Sequence, residues 1–132
     1  MLVVDASCLY EVLTDRPGAE AVRERAETTP DIAAPQIIDV ETFGVIRREH
    51  LAGRLDATAA ALAVADLHDW PAERFGHRPL LARAWELRYS VRGSDAMYVA
   101  LAEALDAVLL TFDLRLAAAH GPQCRIEVPG HR

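Results

Sequence analysis

The chain has 132 residues, of which 52% are hydrophobic and 26% charged, and its formal net charge is -6. This length suits one domain with its own core, and we predict a single domain over residues 1–132. So acidic a chain is unsuited to coating nucleic acid non-specifically, because the phosphate backbone repels it. All 14 basic residues are arginine, which excludes any mechanism that needs a lysine.

The N-terminus and the cysteines indicate where the protein resides. The chain begins MLVVD, without the basic start and long apolar run of a signal peptide. Its apolar stretches are too short and too interrupted by charge to span a membrane. The cysteines, Cys8 and Cys124, fit no disulfide or metal-binding spacing. We therefore predict a cytoplasmic protein with no membrane partner.

The first half of the chain alternates short apolar runs with segments of helical period. We predict strands at 2–4 and 31–34, the second stopped by Pro35. The predicted helices cover 6–13, a segment with Pro17 in its first turn, 36–51 and 54–68. Gly53 is expected to close the third helix. In each of the last three helices, apolar residues at helical spacing are expected to face the core. In the second helix they are Ala21, Val22 and Ala26, and in the fourth they are Leu55, Leu62 and Leu67. In the third helix they are Ile37, Val40, either Phe43 or Gly44, and either Ile46 or Val45.

The second half begins with an extended segment at 70–75. A helix then starts at Pro79, and its expected inner residues are Leu80, Leu81, Ala84, Trp85 and Leu87. Ser94 is the predicted N-cap of a helix over 95–105. A strand at 107–111, a short helix up to Gly121 and an edge strand at 125–128 complete the chain. This alternation predicts an α/β fold with a parallel sheet.

Three acidic residues stand at equivalent places in this pattern. Asp5 ends the first strand, Asp113 follows the strand that ends at Thr111, and Asp95 opens a helix. Strand carboxyl ends and helix amino ends meet at one edge of a parallel sheet, where ligands bind. Glu41 lies inside its helix, from which it can point into the same cleft. We predict that these four carboxylates converge into one acidic pocket.

Such a pocket needs a cation, because four adjacent carboxylates repel one another. Oxygen ligands of this kind suit Mg²⁺ or Mn²⁺ and not zinc. The sequence contains no HExxH motif and no paired histidine spacing, which argues against a zinc hydrolase. Each acid alone is more often a structural cap or a solvated side chain. Their apolar flanks favour a shared function, since an acid beside a buried run needs compensation.

Four motifs that occur in register resemble PIN-domain ribonucleases, and specifically the VapC toxins of bacterial toxin–antitoxin pairs. VVDAS contains Asp5, APQIIDVE contains Glu41, SDAMYVALAEAL contains Asp95, and LLTFDLRLA contains Asp113. The resemblance covers nearly the whole chain. It implies a PIN-like fold, which is a three-layer α/β/α sandwich around a short parallel sheet. The implied chemistry is metal-dependent endonucleolytic cleavage of a structured RNA, such as tRNA or ribosomal RNA.

The resemblance also implies roles for individual residues. Asp5 and Asp95 resemble the main Mg²⁺ or Mn²⁺ ligands, and Glu41 and Asp113 complete the catalytic site directly or through water. The sequence does not decide which carboxylate acts as the base, or whether one or two ions act.

Two hydroxyls and two arginines accompany these acids. Ser7 and Thr111 resemble hydroxyl residues that line the pocket, and both are equally ordinary turn or cap residues. Arg92 and Arg115 stand close in sequence to the third and fourth acids, where they can meet RNA phosphates. Taken singly, each is more often a solvated or salt-bridged surface arginine.

Toxin biology implies partners. The resemblance predicts a small VapB-like antitoxin, a homodimer and a toxin–antitoxin hetero-oligomer. The segments 40–51 and 54–67 have apolar and arginine-bearing faces that can receive the antitoxin, although their alanine and leucine stripes also suit a plain core.

Other acid-rich α/β folds fit less well. A response-regulator receiver and a haloacid-dehalogenase-type phosphatase both need a lysine, and a P-loop or dinucleotide enzyme needs a glycine motif that is absent. Two alternatives stay open: a PIN domain that binds RNA or a partner without cutting, and a PIN nuclease of RNA maturation or quality control. The four acids favour an enzyme, and the compact single domain favours a toxin.

Overall fold

Five short parallel strands form the centre of the molecule in the computed structural model, which describes residues 1–130. The strands are Leu2–Val4 (β1), Ile32–Pro35 (β2), Glu73–Phe75 (β3), Val108–Leu110 (β4) and Ile126–Glu127 (β5). Their order is β3-β2-β1-β4-β5, and every neighbouring pair is parallel. The predicted single domain extends to residue 132, and its last two positions lie outside the described residues.

The helices form two layers that enclose this sheet. They are Ala6–Leu13 (α1), Ala19–Glu27 (α2), Ile37–Leu51 (α3), Ala57–Asp69 (α4), Leu81–Glu86 (α5), Gly93–Ala104 (α6) and Leu114–Ala117 (α7), with a 3₁₀ turn at Arg78–Leu80. Helices α1 to α4 pack on one another, α5 packs on α6, and α6 lies against β1, β2 and β4. The predicted α/β/α sandwich is confirmed. Among residues 1–130, the helices are all too short or too polar to cross a bilayer.

The strand order determines where a site can form. Strand β1 lies at the centre, and Leu2 and Val3 are completely buried, as expected for a parallel strand covered on both faces. The chain leaves β1 toward β2 on one side, whereas β4 pairs with it on the other. A crevice opens at the carboxyl ends of two strands whose connections diverge in this way. The ends of β1 and β4 therefore frame the candidate site.

Most predicted elements occur, but several boundaries differ. Helix α2 begins at Ala19, so Pro17 lies ahead of it, and Pro35 is the last residue of β2. Helix α4 begins at Ala57, because the Asp56 carboxylate accepts a hydrogen bond from the backbone N–H of Ala59 at 2.8 Å. The prediction that Ser94 caps α6 is wrong. Helix α6 starts at Gly93, two residues before the predicted start, and has no side-chain cap.

The face of α3 that enters the core also differs from the prediction. Val40 is 69% exposed and Phe43 is 50% exposed, whereas Ile38, Thr42 and Ile46 are buried. The helix carries apolar side chains on more than one side, so periodicity alone did not identify the inner face. The same error affects three residues of other helices that were predicted to be inner and are exposed: Leu62, Leu81 and Trp85.

Both ends of α3 are fixed by local contacts. Gly53 has φ +77°, and its N–H donates to the His50 carbonyl at 3.0 Å, which confirms the predicted C-terminal stop. At the other end, the Ile37 N–H donates to Nε2 of His77 at 3.0 Å. This histidine satisfies one of the unpaired donors of the first turn. It therefore fixes the start of the helix that carries Glu41.

Candidate active site at the sheet edge

Asp5 is a buried carboxylate at the carboxyl end of β1. Its side chain is only 7% exposed, because the strand passes directly into α1 and the carboxylate caps that helix. Oδ1 accepts a hydrogen bond from the backbone N–H of Cys8 at 3.1 Å. The Asp5 N–H donates to the carbonyl of Leu110 in β4 at 3.2 Å. Asp5 is thus tied to both central strands.

Two hydroxyls connect Asp5 to the loop after β4. Ser7 donates to Asp5 Oδ1 at 2.6 Å and accepts from the Phe112 N–H at 3.1 Å. Thr111, which is fully buried, donates to Asp5 Oδ2 and accepts from the Asp113 N–H at 3.0 Å. Each hydroxyl therefore links the carboxylate to a backbone donor of the same loop. The conformation that positions Asp113 depends on Asp5.

Asp113 is the N-cap of α7. Its Oδ1 accepts from the backbone N–H groups of Arg115 at 2.9 Å and Leu116 at 3.3 Å. The structural role that the sequence allowed for this residue is thus present. The same side chain also lines a small cleft beside Asp95. One carboxylate therefore caps a helix and contributes charge to the cleft.

Glu41 is held by a residue that the sequence reasoning did not single out. The hydroxyl of Tyr98 donates to Glu41 Oε1 at 2.6 Å, and Tyr98 is only 1% exposed. Burial is the main cause that raises the pKa of Tyr98, followed by the bond to Glu41, so the hydroxyl keeps its proton. The available signal was spacing, since Tyr98 lies three residues after Asp95 and so on the same side of α6.

The charges of the other three acids affect the pKa of Asp95. It lies in the first turn of α6, and its pKa is raised first by burial and then by the charges of Asp113, Asp5 and Glu41. The Arg92 guanidinium opposes this effect. Burial also raises the pKa of Asp5, against the hydrogen bonds that stabilise its charge. The structure therefore places all four predicted acids within electrostatic range at one edge of the sheet.

These acids do not form a preassembled metal-binding site among the described residues. Within residues 1–130, no three Asp, Glu, His or Cys side chains lie close enough together to hold one ion. The donors at the edge are nonetheless carboxylate and hydroxyl oxygens, the type of ligand that Mg²⁺ and Mn²⁺ prefer. The mutual repulsion recorded at Asp95 is the kind that a divalent cation relieves. By its chemistry, this set of oxygen donors fits such an ion.

The two predicted arginines lie on the rim of this edge. Arg92 and Arg115 are exposed, and they line a cleft of about 130 Å³ together with Asp95 and Asp113. Neither guanidinium forms an ion pair within the described part of the chain. Both are therefore available to an anion that enters the cleft.

The fold is that of a PIN domain, and the PIN domain family matches residues 2–121. Ribonuclease VapC1 of Mycobacterium tuberculosis is 39% identical over 128 residues, which is 96% of either chain. This chain belongs to the VapC ribonucleases of the PIN-domain family.

Two solved structures share the fold at low sequence identity. VapC20 of Mycobacterium tuberculosis, described as a sarcin-ricin loop cleaving toxin, superposes with a TM-score of 0.67 at 18% identity and covers 89% of this chain and 94% of its own. VapBC2 of Rickettsia felis, bound to a DNA fragment from its promoter, superposes with a TM-score of 0.71 at 14% identity. The match covers 97% of this chain and 98% of the VapBC2 chain. At these identities the likeness supports the fold alone.

The hydroxyl links to Asp5 can be tested with two buried threonines. Thr111→Val leaves a carboxylate oxygen and a backbone N–H without partners, and we expect the free energy of unfolding to fall by about 2 kcal/mol. The matched control is Thr42→Val. Thr42 is equally buried, and its hydroxyl has no hydrogen-bond partner among the described residues, so its loss is expected to be neutral or stabilising. Urea denaturation of both variants measures the difference, and equal losses would refute the role of Thr111.

The repulsion at Asp95 predicts an unusual stability effect in metal-free buffer. Its raised pKa means that the folded state disfavours the charged form, so stability falls as pH rises from the ordinary pKa of Asp to the raised value. Asp95→Asn removes this effect. We expect its melting temperature to exceed that of the wild type by a few degrees at pH 7, although the favourable charge at a helix start is lost.

Calorimetry across a range of pH values measures this difference. The gain should disappear below the ordinary pKa of Asp, where the carboxyl is neutral in both states. Asp69→Asn, at a side chain that is 78% exposed, provides the control and is expected to change little. A lower melting temperature for Asp95→Asn at pH 7 would contradict the electrostatic account.

Proposed function

We propose that this chain is a metal-dependent endoribonuclease and the toxin of a toxin–antitoxin pair. The observation that carries the proposal is the buried, triply hydrogen-bonded Asp5, with Asp95 and Asp113 beside it, in a chain that belongs to the VapC ribonucleases. A non-catalytic binding domain has no need to place Asp95 close to the charges of three other carboxylates. An enzyme that binds a cation beside these carboxylates does need such an arrangement.

Asp5 and Asp95 would hold Mg²⁺ or Mn²⁺, and Glu41 and Asp113 would complete the site directly or through water. When bound, the ion polarises a phosphate oxygen and lowers the pKa of a coordinated water. The protein contributes orientation. Asp5 is fixed by three donors, and Glu41 is fixed by Tyr98, so two of the four carboxylates start from defined positions.

An acidic protein must still bind RNA. Arg92 and Arg115 provide exposed guanidinium groups on the rim, and Arg can bind phosphate through two parallel hydrogen bonds. The acidic side chains lie inside the cleft, where a bound cation would offset their charge. This arrangement favours a substrate that presents one phosphate to the cleft, as an unpaired loop of a structured RNA does.

The antitoxin has a suitable surface between α3 and α4. Val40, Phe43 and Val64 line a groove of about 540 Å³, with Asp39 and Arg74 at its side. The sequence left both helices open as either a receiving face or plain core. Their outward apolar side chains, which do not enter the core, support a receiving face. We propose that a VapB-like segment covers them, within a hetero-oligomer built on a homodimer of this chain.

The cytoplasm is the proposed location, because its RNA is the substrate of such an enzyme. The free thiols of Cys8 and Cys124 suit that reducing environment.

Carboxylate removal tests the catalytic proposal. Asp5→Asn or Asp95→Asn is expected to slow RNA cleavage by roughly 100-fold or more, because each removes a negative ligand of the ion. Both variants should relieve the growth inhibition that the wild type causes. Cleavage is measured with purified protein and with sequencing of RNA 5′ ends after brief expression in cells. Excess EDTA should stop the wild type.

Asp69→Asn is the matched control, since this exposed acid lies on α4, away from the sheet edge. Undiminished cleavage in EDTA, or full activity of either site variant, would contradict the proposal. The 5′ ends also separate the alternatives. Cleavage at one loop of tRNA or ribosomal RNA fits a toxin, precise processing sites fit RNA maturation, and no new ends fit a binding domain.

A further inference from the structure

Two large aromatic side chains on and just after α5 are exposed. Trp85, on α5, is 66% exposed, and Tyr89, just after that helix, is 88% exposed. Aromatic rings contribute most when they are buried against other groups. Neither ring takes part in the core, so the core does not explain them.

The Arg88 side chain contacts both rings. Its guanidinium carbon lies 4.3 Å from the ring centroid of Trp85 and 4.5 Å from that of Tyr89. Its Nη1 also donates to the Trp85 carbonyl at 2.9 Å. Cation–π contacts at these distances hold the rings in place. Because both side chains are more than half exposed, each ring keeps an open surface beside the guanidinium. We call Trp85, Arg88 and Tyr89 the aromatic platform.

The aromatic platform adjoins the acidic cleft. Tyr89 is followed directly by Ser90, which lines the cleft, and Arg92 lines it two residues later. Consecutive Cα atoms are 3.8 Å apart, so the platform begins one residue from the cleft wall. The segment 87–94 contains two arginines and no acid, in a chain whose net charge is -6. Its charge is therefore complementary to a phosphate backbone.

We propose that the aromatic platform stacks unpaired RNA bases next to the phosphate that is cut. This inference rests on the ribonuclease function proposed above and adds a binding element outside the acidic site. Every base has a flat π-face, so aromatic rings and arginine planes bind unpaired nucleotides without reading their sequence. Stacking here would orient the strand so that the adjoining phosphate reaches Arg92 and the acids.

Tryptophan fluorescence gives a direct readout. The chain has two tryptophans, so Trp70→Phe leaves Trp85 as the only one, and Asp95→Asn in the same protein prevents cleavage. The probes are a short single-stranded RNA and an abasic oligomer of equal length. We expect the RNA to quench Trp85, and the abasic oligomer, which has the same phosphates, to leave its emission almost unchanged.

Affinity and kinetics give the second readout. In the Asp95→Asn background, Trp85→Ala and Tyr89→Ala are expected to bind the RNA about tenfold more weakly, whereas Trp85→Phe and Tyr89→Phe keep most of the affinity. In the active enzyme, the alanine variants should raise KM more than they lower kcat. Leu62→Ala removes an equally exposed apolar side chain from α4, and it should leave RNA affinity unchanged.

The outcomes separate this proposal from the proposed function. Equal binding of the RNA and the abasic oligomer, or unchanged affinity in both alanine variants, would overturn the aromatic platform while leaving cleavage by the wild type intact. Base-dependent quenching without any cleavage would support the platform and contradict the catalytic function. If Trp85→Ala converts a dimer to a monomer in sedimentation and the monomer binds RNA normally, the rings form a contact between copies and the proposal fails.

Discussion

The burial of Asp5 is the constraint on which the site depends. A charged carboxylate that is 7% exposed requires full hydrogen bonding, and Ser7, Thr111 and the Cys8 N–H supply it. Because the two hydroxyls also accept backbone donors of the β4–α7 loop, the same bonds place Asp113. Desolvation of one acid thus determines how the end of β1, the start of α1 and the loop after β4 fit together.

The relative positions of the other two acids, Glu41 and Asp95, depend on helix packing. Glu41 and Asp95 lie on α3 and α6, in different layers, and Tyr98 bridges the gap by its bond to Glu41. The result is a site with two well-fixed carboxylates and a third, Asp95, whose raised pKa reflects the repulsion that remains. A fold that keeps like charges together in this way sacrifices stability, and binding of a cation would offset that loss.

The sequence predicted the order of elements and the edge at which the acids meet, because strand ends and helix starts have local signals. It did not predict which side of α3 faces inward. Val40 and Phe43 are apolar and yet exposed, and Thr42 is polar and yet buried, so only the packed neighbours decide. The Tyr98–Glu41 bond was missed for the same reason, since it joins residues that are 57 positions apart. Ser94 is not the cap because α6 already begins at Gly93, which places Ser94 inside the first turn.

The central claim is that this acidic edge is a divalent-cation site. Crystals grown with Mn²⁺ and measured for anomalous scattering test it most directly, because manganese then appears at a position independent of any assumed chemistry. The account predicts an anomalous peak at the carboxyl ends of β1 and β4, beside the carboxylate oxygens of Asp5 and Asp95. At saturating Mn²⁺, an edge without a peak, or a peak only elsewhere on the molecule, would contradict the account.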